Sequence, residues 1–232
     1  PSTESILDAH IKDCIYLLNE LGWHEVWLKS HDFGLVPALA FANYYPERVR
    51  GIFAVSPPPL FLPDSDLSAI PIQQRAFIWA ARHSFWMIKL LLRVGHVKAR
   101  KLGPAQWMQM VFDGTPDELK VFQTDAGREV SENSYHFNLI QNSKGQVFDM
   151  QFSLANDWAE LLREVKVPLA GLTGKRNTTF DVNAVRALKL INPNFDIKEI
   201  EMASLTLALT DAEACHYTFL DLMKVTGSVP VS

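Results

Sequence analysis

Apolar residues along the chain alternate between short unbroken runs and longer helical patterns with a polar face. The short runs predict four buried strands, in "HEVWLKS", "RGIFAVSPPP", "VPLAGLTG" and "FDIKEIEM". A helical pattern precedes the first strand and others follow each strand, and Pro46 ends the helix that is predicted from Phe33 to about Tyr45. This alternation of strands and helices predicts an α/β fold with a mostly parallel sheet.

A long, mostly helical region separates the second strand from the third. We therefore expect three parts: residues 1–63 as the first part of the α/β core, residues 64–163 as a helical cap, and residues 164–232 as the second part of the core. The cap should cover the carboxyl ends of the strands.

Composition and charge narrow the classes of function. The chain has 232 residues, a formal net charge of −4 and a pI near 6, so we expect neither nucleic acid nor a membrane as a partner. Its two cysteines, Cys14 and Cys215, are far apart and fit a reducing, cytoplasmic location, with Cys215 in the core. The seven histidines lack the spacing of a metal site, and no metal or cofactor is expected.

Three segments of the chain resemble the α/β-hydrolase family. The segment "VWLKSHDFGLVPALAFANYYPERVRGIFAVSPP" is similar to the nucleophile elbow, its helix and the next strand, with Ser30-His31-Asp32-Phe33-Gly34 in place of G-x-S-x-G. "LREVKVPLAGLTGKRN" resembles the strand and turn of the catalytic acid, and "IKEIEMASLTLALTDAEACHYTFLDLM" resembles the last strand, histidine loop and final helix. "SLANDWAELLREVKVPL" also resembles hydrolase-like sensor domains of bacterial transcription regulators.

The resemblance implies a role for three positions. Asp32 lies at the nucleophile position, as in haloalkane dehalogenases and epoxide hydrolases, where an aspartate forms an alkyl ester. Asn177 lies at the position of the acid and Leu205 at the position of the histidine, so both of these positions are degenerate. An ester formed at Asp32 would then lack the base that activates water.

Asp32 has three interpretations from sequence: a working nucleophile, an N-cap of the following helix, or a relic of a lost active site. Free N–H groups at the start of that helix would help to keep its carboxylate ionised. Ser30 is an alternative nucleophile, but it stands at the small-residue position of the elbow, and we expect its side chain to face away from the pocket.

The resemblance also bears on the edge of the sheet. The family's early strands should precede the first helix, whereas this chain starts at Pro1 on that helix. The elbow strand would then present a long apolar edge, which proteins generally avoid. We therefore expect a missing N-terminal segment, or a homodimer partner, beside this strand.

Aromatic residues are concentrated in the predicted cap. Such residues are often ordinary core, but in this fold cap and core enclose a ligand cavity that is mostly apolar. The predicted binding residues for a small apolar ligand are His31, Phe33, Trp79, Trp86, Trp107 and Tyr135.

Two main hypotheses of function follow, and a third, plain possibility is a scaffold domain with neither ligand nor reaction. In the first, the chain is a catalytically degenerate α/β-hydrolase-fold domain that binds a small hydrophobic molecule, as the sensor part of a regulator. In the second, it is a hydrolase with Asp32 as nucleophile, of the haloalkane dehalogenase or epoxide hydrolase type.

Overall fold

The structure is a computed structural model that describes residues 3–59, 72–111, 116–140, 144–177 and 179–227. The chain forms two compact units, the first of residues 1–61 with 157–232 and the second of residues 62–156. The predicted boundary between residues 63 and 64 lies outside the described residues.

The first unit is built on a parallel four-stranded sheet. Its strands, in spatial order, are β1 (Val26–His31), β2 (Val49–Val55), β3 (Leu169–Gly174) and β4 (Phe195–Ile200). All three neighbouring pairs are parallel, as the strand–helix alternation predicted. Parallel pairing brings the carboxyl ends of the four strands to one edge of the sheet, where the loops with Asp32, Asn177 and Leu205 begin.

Twelve α-helices are described. In chain order they are α1 (Thr3–Glu20), α2 (Leu35–Tyr44), α3 (Ile72–His83), α4 (Phe85–Val111), α5 (Pro116–Gln123), α6 (Asp125–Ile140), α7 (Lys144–Leu154), α8 (Ala159–Glu164), α9 (Val182–Arg186), α10 (Leu188–Ile191), α11 (Leu207–Thr210) and α12 (Ala212–Val225). None of these described helices has a stretch that is both long and apolar enough to cross a bilayer.

The start of α2 differs from the sequence prediction. The helix was expected from Phe33, but Asp32–Gly34 form a short 3-10 turn and α2 begins at Leu35. The cause is the backbone of Asp32, whose φ of 53° lies outside the right-handed helical region.

The core of the first unit lies on both sides of the sheet. One cluster joins Phe53 of β2, Leu172 of β3 and Leu207 of α11 to Cys215 and Leu222 of α12. Cys215 is 4% exposed, which confirms its predicted place in the core.

Helix α2 supplies further buried side chains to this unit. Its residues Leu35, Val36 and Leu39 are fully buried. A fully buried aliphatic side chain stabilises a fold by about 1.5–3 kcal/mol relative to an exposed one, so α2 is held firmly in place behind the elbow.

The second unit is a helical assembly with a core of its own. Ala80 of α3, Ile88 and Leu92 of α4, and Val147 of α7 form one buried cluster. Helix α4 is interrupted at Gly103, whose φ of 75° and ψ of 173° are not helical.

A close backbone contact joins the turn after β3 to the loop after β4. A Cβ atom on Gly174 would overlap the carbonyl group of Ala203. Two hydrogen bonds fix this approach: the N–H of Lys175 donates to the carbonyl of Ile200 at 2.9 Å, and the N–H of Arg176 donates to that of Ala203 at 3.0 Å. The predicted acid turn and histidine loop are therefore one connected structure.

We predict that Gly174→Ala lowers the free energy of unfolding of the first unit by about 2 kcal/mol or more, because the overlapping atoms belong to hydrogen-bonded backbone. Urea titration followed by circular dichroism measures the change. Gly95→Ala in α4 is the control, since its Cβ would meet nothing within 4 Å and alanine favours a helix. An unchanged transition in Gly174→Ala would contradict the prediction.

Candidate active site

The elbow at the end of β1 is the centre of the candidate site. His31 is still extended, with φ −131° and ψ 135°, and Asp32 then turns the chain with a φ of 53°. A non-glycine residue held in the left-handed region costs about 1–3 kcal/mol and persists only where the surrounding structure fixes it. This sharp, strained turn between a strand and a helix is the geometry of a nucleophile elbow.

Small residues make room for this turn. Ser30 is 6% exposed, and its Oγ has no hydrogen-bond partner among the described residues. A Cβ on Gly34 would lie 3.9 Å from the Cβ of Ser30, so the two residues face each other across the turn. Ser30 therefore serves as packing in the elbow.

The interpretation of Asp32 as a helix cap is wrong. An N-cap residue has an extended backbone, and its side chain accepts an N–H of the first helical turn. The residues at the cap positions are His31 for the 3-10 turn and Gly34 for α2, and neither helix start has a side-chain cap. The Oδ1 atom of Asp32 is buried and has no hydrogen-bond partner among the described residues.

Burial dominates the electrostatics of Asp32. Loss of hydration raises the pKa of its carboxyl group above the ordinary value, and the charge of His31 and the backbone N–H of Phe33 lower it by less. The sequence suggested that helix N–H groups would favour the ionised form. The N–H of Phe33 acts in that direction, but burial outweighs it.

The loop after β4 brings position 205 to the elbow. The backbone carbonyl of Leu205 accepts hydrogen bonds from the Nε2 of His31 at 3.1 Å and from the Oγ of Ser56 at 2.8 Å. Because a carbonyl only accepts, the Nε2 atom of His31 carries the proton in this contact. The chain thus places a leucine beside the elbow, where the resemblance implies a catalytic histidine.

Asn177 lies in the turn after β3 and is 9% exposed. Its Oδ1 accepts the backbone N–H of Thr179 at 2.8 Å and that of Phe180 at 3.1 Å, while its buried Nδ2 has no partner among the described residues. The ring of Phe180 meets the ring of Phe33 edge to face at 5.9 Å. The turn with Asn177 therefore adjoins the elbow.

Sequence reasoning missed two residues of this site. Ser56 directly follows β2, has a φ of 48°, is fully buried and donates a hydrogen bond to the loop of Leu205. Its position before Pro57 disfavours a right-handed helical conformation but does not predict a positive φ. Phe180 was missed because its contact with Phe33 depends on the turn that Asn177 organises.

The predicted binding residues of the second unit fall into two groups. Trp107 packs against Tyr135 at 5.9 Å, and the hydroxyl of Tyr135 donates to the carbonyl of Ala99 at 3.1 Å. By contrast, Trp79 and Trp86 are 50% and 78% exposed. Their binding of a ligand stays a prediction.

No group of three or more histidine, cysteine, aspartate or glutamate side chains among the described residues is arranged to hold a metal ion.

Comparison with solved structures identifies the fold. The chain is similar to a bromoperoxidase from Bacillus anthracis (15% identity, TM-score 0.66, covering 92% of this chain and 72% of that one). It is also similar to an epoxide hydrolase from Bacillus megaterium (17% identity, TM-score 0.63, covering 97% of this chain and 78% of that one). A third similar structure is an esterase from Thermogutta terrifontis (18% identity, TM-score 0.60, covering 95% of this chain and 72% of that one). No protein-family model and no curated protein matches the chain. The chain has the α/β-hydrolase fold.

The raised pKa of Asp32 predicts a pH-dependent effect of Asp32→Asn. Asparagine tolerates a positive φ and cannot ionise, so the variant avoids the cost of a buried charge. Because the folded state holds its proton more tightly, wild-type stability falls as pH rises through the raised pKa. We expect Asp32→Asn to melt about 2–4 °C higher at neutral pH, with the difference shrinking on acidification.

Glu199→Gln is the control of opposite sign. Hydrogen bonds from Arg186, both 2.6 Å long, lower the pKa of Glu199, so its contribution is present at neutral pH and is lost in acid. This variant should melt lower than wild type at neutral pH. The raised pKa of Asp32 would be contradicted if Asp32→Asn melted lower than wild type at neutral pH, or if the difference between their melting temperatures did not depend on pH.

Proposed function

We propose that this chain is a catalytically degenerate α/β-hydrolase-fold domain that binds a small hydrophobic molecule at the elbow without turning it over. The sensor part of a regulator is the role that fits such a domain, since a sensor must hold its ligand and not consume it. This interpretation also fits the free, unpaired state of Cys14 and Cys215, as in a reducing cytoplasm.

One observation carries the proposal: the loop that the resemblance assigns to the catalytic histidine is bonded to the elbow and has a leucine at that position. The carbonyl of Leu205 accepts hydrogen bonds from His31 and Ser56, so the loop adjoins the elbow, but the side chain of Leu205 has no group that accepts a proton. Hydrolysis of an ester at Asp32 would need such a group.

The amide of Asn177 supports the same conclusion. In a triad the acid orients the histidine and stabilises its positive charge. Asn177 carries no charge, and its Oδ1 already accepts two backbone N–H groups of its own turn. These features of Leu205 and Asn177 support the proposal that the base and the acid of a triad are absent from this site.

The elbow itself supports retained binding. Asp32 has a strained backbone, and its buried Oδ1 has no partner within the described part of the chain; a neutral relic would readily lose both costs by mutation. Phe33 and Phe180 make this region apolar. A buried carboxylate beside two aromatic rings suits an apolar ligand that presents one polar or electrophilic group to the carboxylate.

The alternative function is that of a hydrolase with Asp32 as nucleophile. The elbow conformation favours it, and the fold is shared with an epoxide hydrolase. It requires a base, and the neighbouring imidazole, His31, donates its Nε2–H to Leu205.

We predict a single-turnover reaction of the carboxylate. A carboxylate oxygen of Asp32 would attack the terminal carbon of a small bromoalkane, bromide would leave, and an alkyl ester would remain. Intact-mass spectrometry should show one alkyl group per chain, formed more slowly as acid protonates the raised-pKa carboxyl group. An unreactive alkane of the same size should raise the melting temperature by mass action.

Asp32→Asn should lose this adduct, whereas Asp196→Asn, which removes an exposed carboxylate of β4, should keep it. Release of many equivalents of alcohol, abolished by Asp32→Asn, would establish the hydrolase and contradict the proposal. If a series of such ligands gave no adduct and no thermal shift, this result would contradict binding at the elbow.

A further inference from the structure

Helix α4 carries an apolar stripe on its exposed side. Trp86, Leu90, Val94 and Val97 are 78%, 59%, 60% and 49% exposed, and we call these four residues the α4 stripe. Their spacing of four, four and three residues places them along one face of the helix. The opposite face holds Ile88 and Leu92 in the core of the second unit. The stripe is therefore a second apolar face of α4, separate from the one that packs into this core.

The helix that carries the stripe is rich in positive charge. Helix α4 contains five lysine and arginine residues and no aspartate or glutamate, although the whole chain has a net charge of −4. All five are exposed: Lys89, Arg93, Lys98, Arg100 and Lys101.

The basic residues lie on both flanks of the stripe. At about 100° per residue, Lys89, Arg93 and Arg100 fall on one side of it and Lys98 on the other. The Nζ of Lys89 lies 5.7 Å from the centre of the Trp86 ring. Long basic side chains in this position can rest their alkyl chains on an apolar surface and hold their charges in an anionic layer.

We infer that the α4 stripe docks on the surface of an anionic lipid bilayer. An interfacial helix has tryptophan and aliphatic residues on one face with lysine and arginine beside them, and it lies in the plane of the headgroups. Trp86 suits the headgroup level, and each nearby cation adds electrostatic attraction to anionic lipids. The expectation of no membrane partner rested on net charge, which hides this local concentration of cations.

A second copy of the chain is a poorer occupant. In a two-fold dimer the same patch would face itself, and the five cations of one α4 would meet the five of its partner. Repulsion between them would oppose the burial of the four apolar side chains. An anionic bilayer satisfies both the charge and the apolar surface.

Vesicle flotation with the full chain tests this inference. Wild type should float with vesicles of phosphatidylcholine and phosphatidylserine, bind pure phosphatidylcholine weakly, and dissociate in high salt. Arg93→Glu with Lys98→Glu should weaken binding about tenfold or more. Leu90→Ser should also weaken it, because the apolar stripe is interrupted.

Exposed residues of the first unit provide matched controls. Lys12→Glu with Lys166→Glu makes the same change of net charge, and Leu190→Ser removes a leucine that is 86% exposed. Both should float like wild type. The inference would be overturned if all variants floated equally or if wild type did not float. It would also be overturned if wild type did not float but formed a dimer in sedimentation that the stripe variants lose.

Discussion

The left-handed backbone of Asp32 is the constraint on which the candidate site depends. It ends β1, delays α2 to Leu35 and aims the aspartate at the carboxyl edge of the sheet. Its cost of about 1–3 kcal/mol is offset by what surrounds it. Pairing between β1 and β2 fixes the chain before Asp32, and the buried residues of α2 fix the chain after it. Hydrogen bonds from His31 and Ser56 hold the loop of Leu205 beside this turn.

The proposed function divides the site into parts that persist and parts that are lost. Asp32 has the backbone of an elbow, is buried and has a raised pKa. Leu205 stands in the loop that the resemblance assigns to the base, and Asn177 in the turn that it assigns to the acid. Under the proposal, binding and a first covalent step need only the elbow, whereas turnover needs the base and the acid.

The sequence predicted the sheet because its strands are continuous apolar runs, and it predicted the elbow because Ser30 and Gly34 flank Asp32. It could not predict the bonds to the carbonyl of Leu205, since any residue at that position has a carbonyl. The positive φ of Ser56 likewise depends on tertiary contacts. The basic, apolar face of α4 was hidden because charge was summed over the whole chain.

The most direct test is the lifetime of an alkyl ester at Asp32 in wild type and in Leu205→His with Asn177→Asp. The added histidine and its acid would supply the missing base and its orienter. We expect the wild-type ester to persist through the time course of intact-mass spectra, and the ester of the double variant to decay with release of alcohol. A wild-type ester that decays as fast as that of the variant, or repeated wild-type turnover, would contradict it.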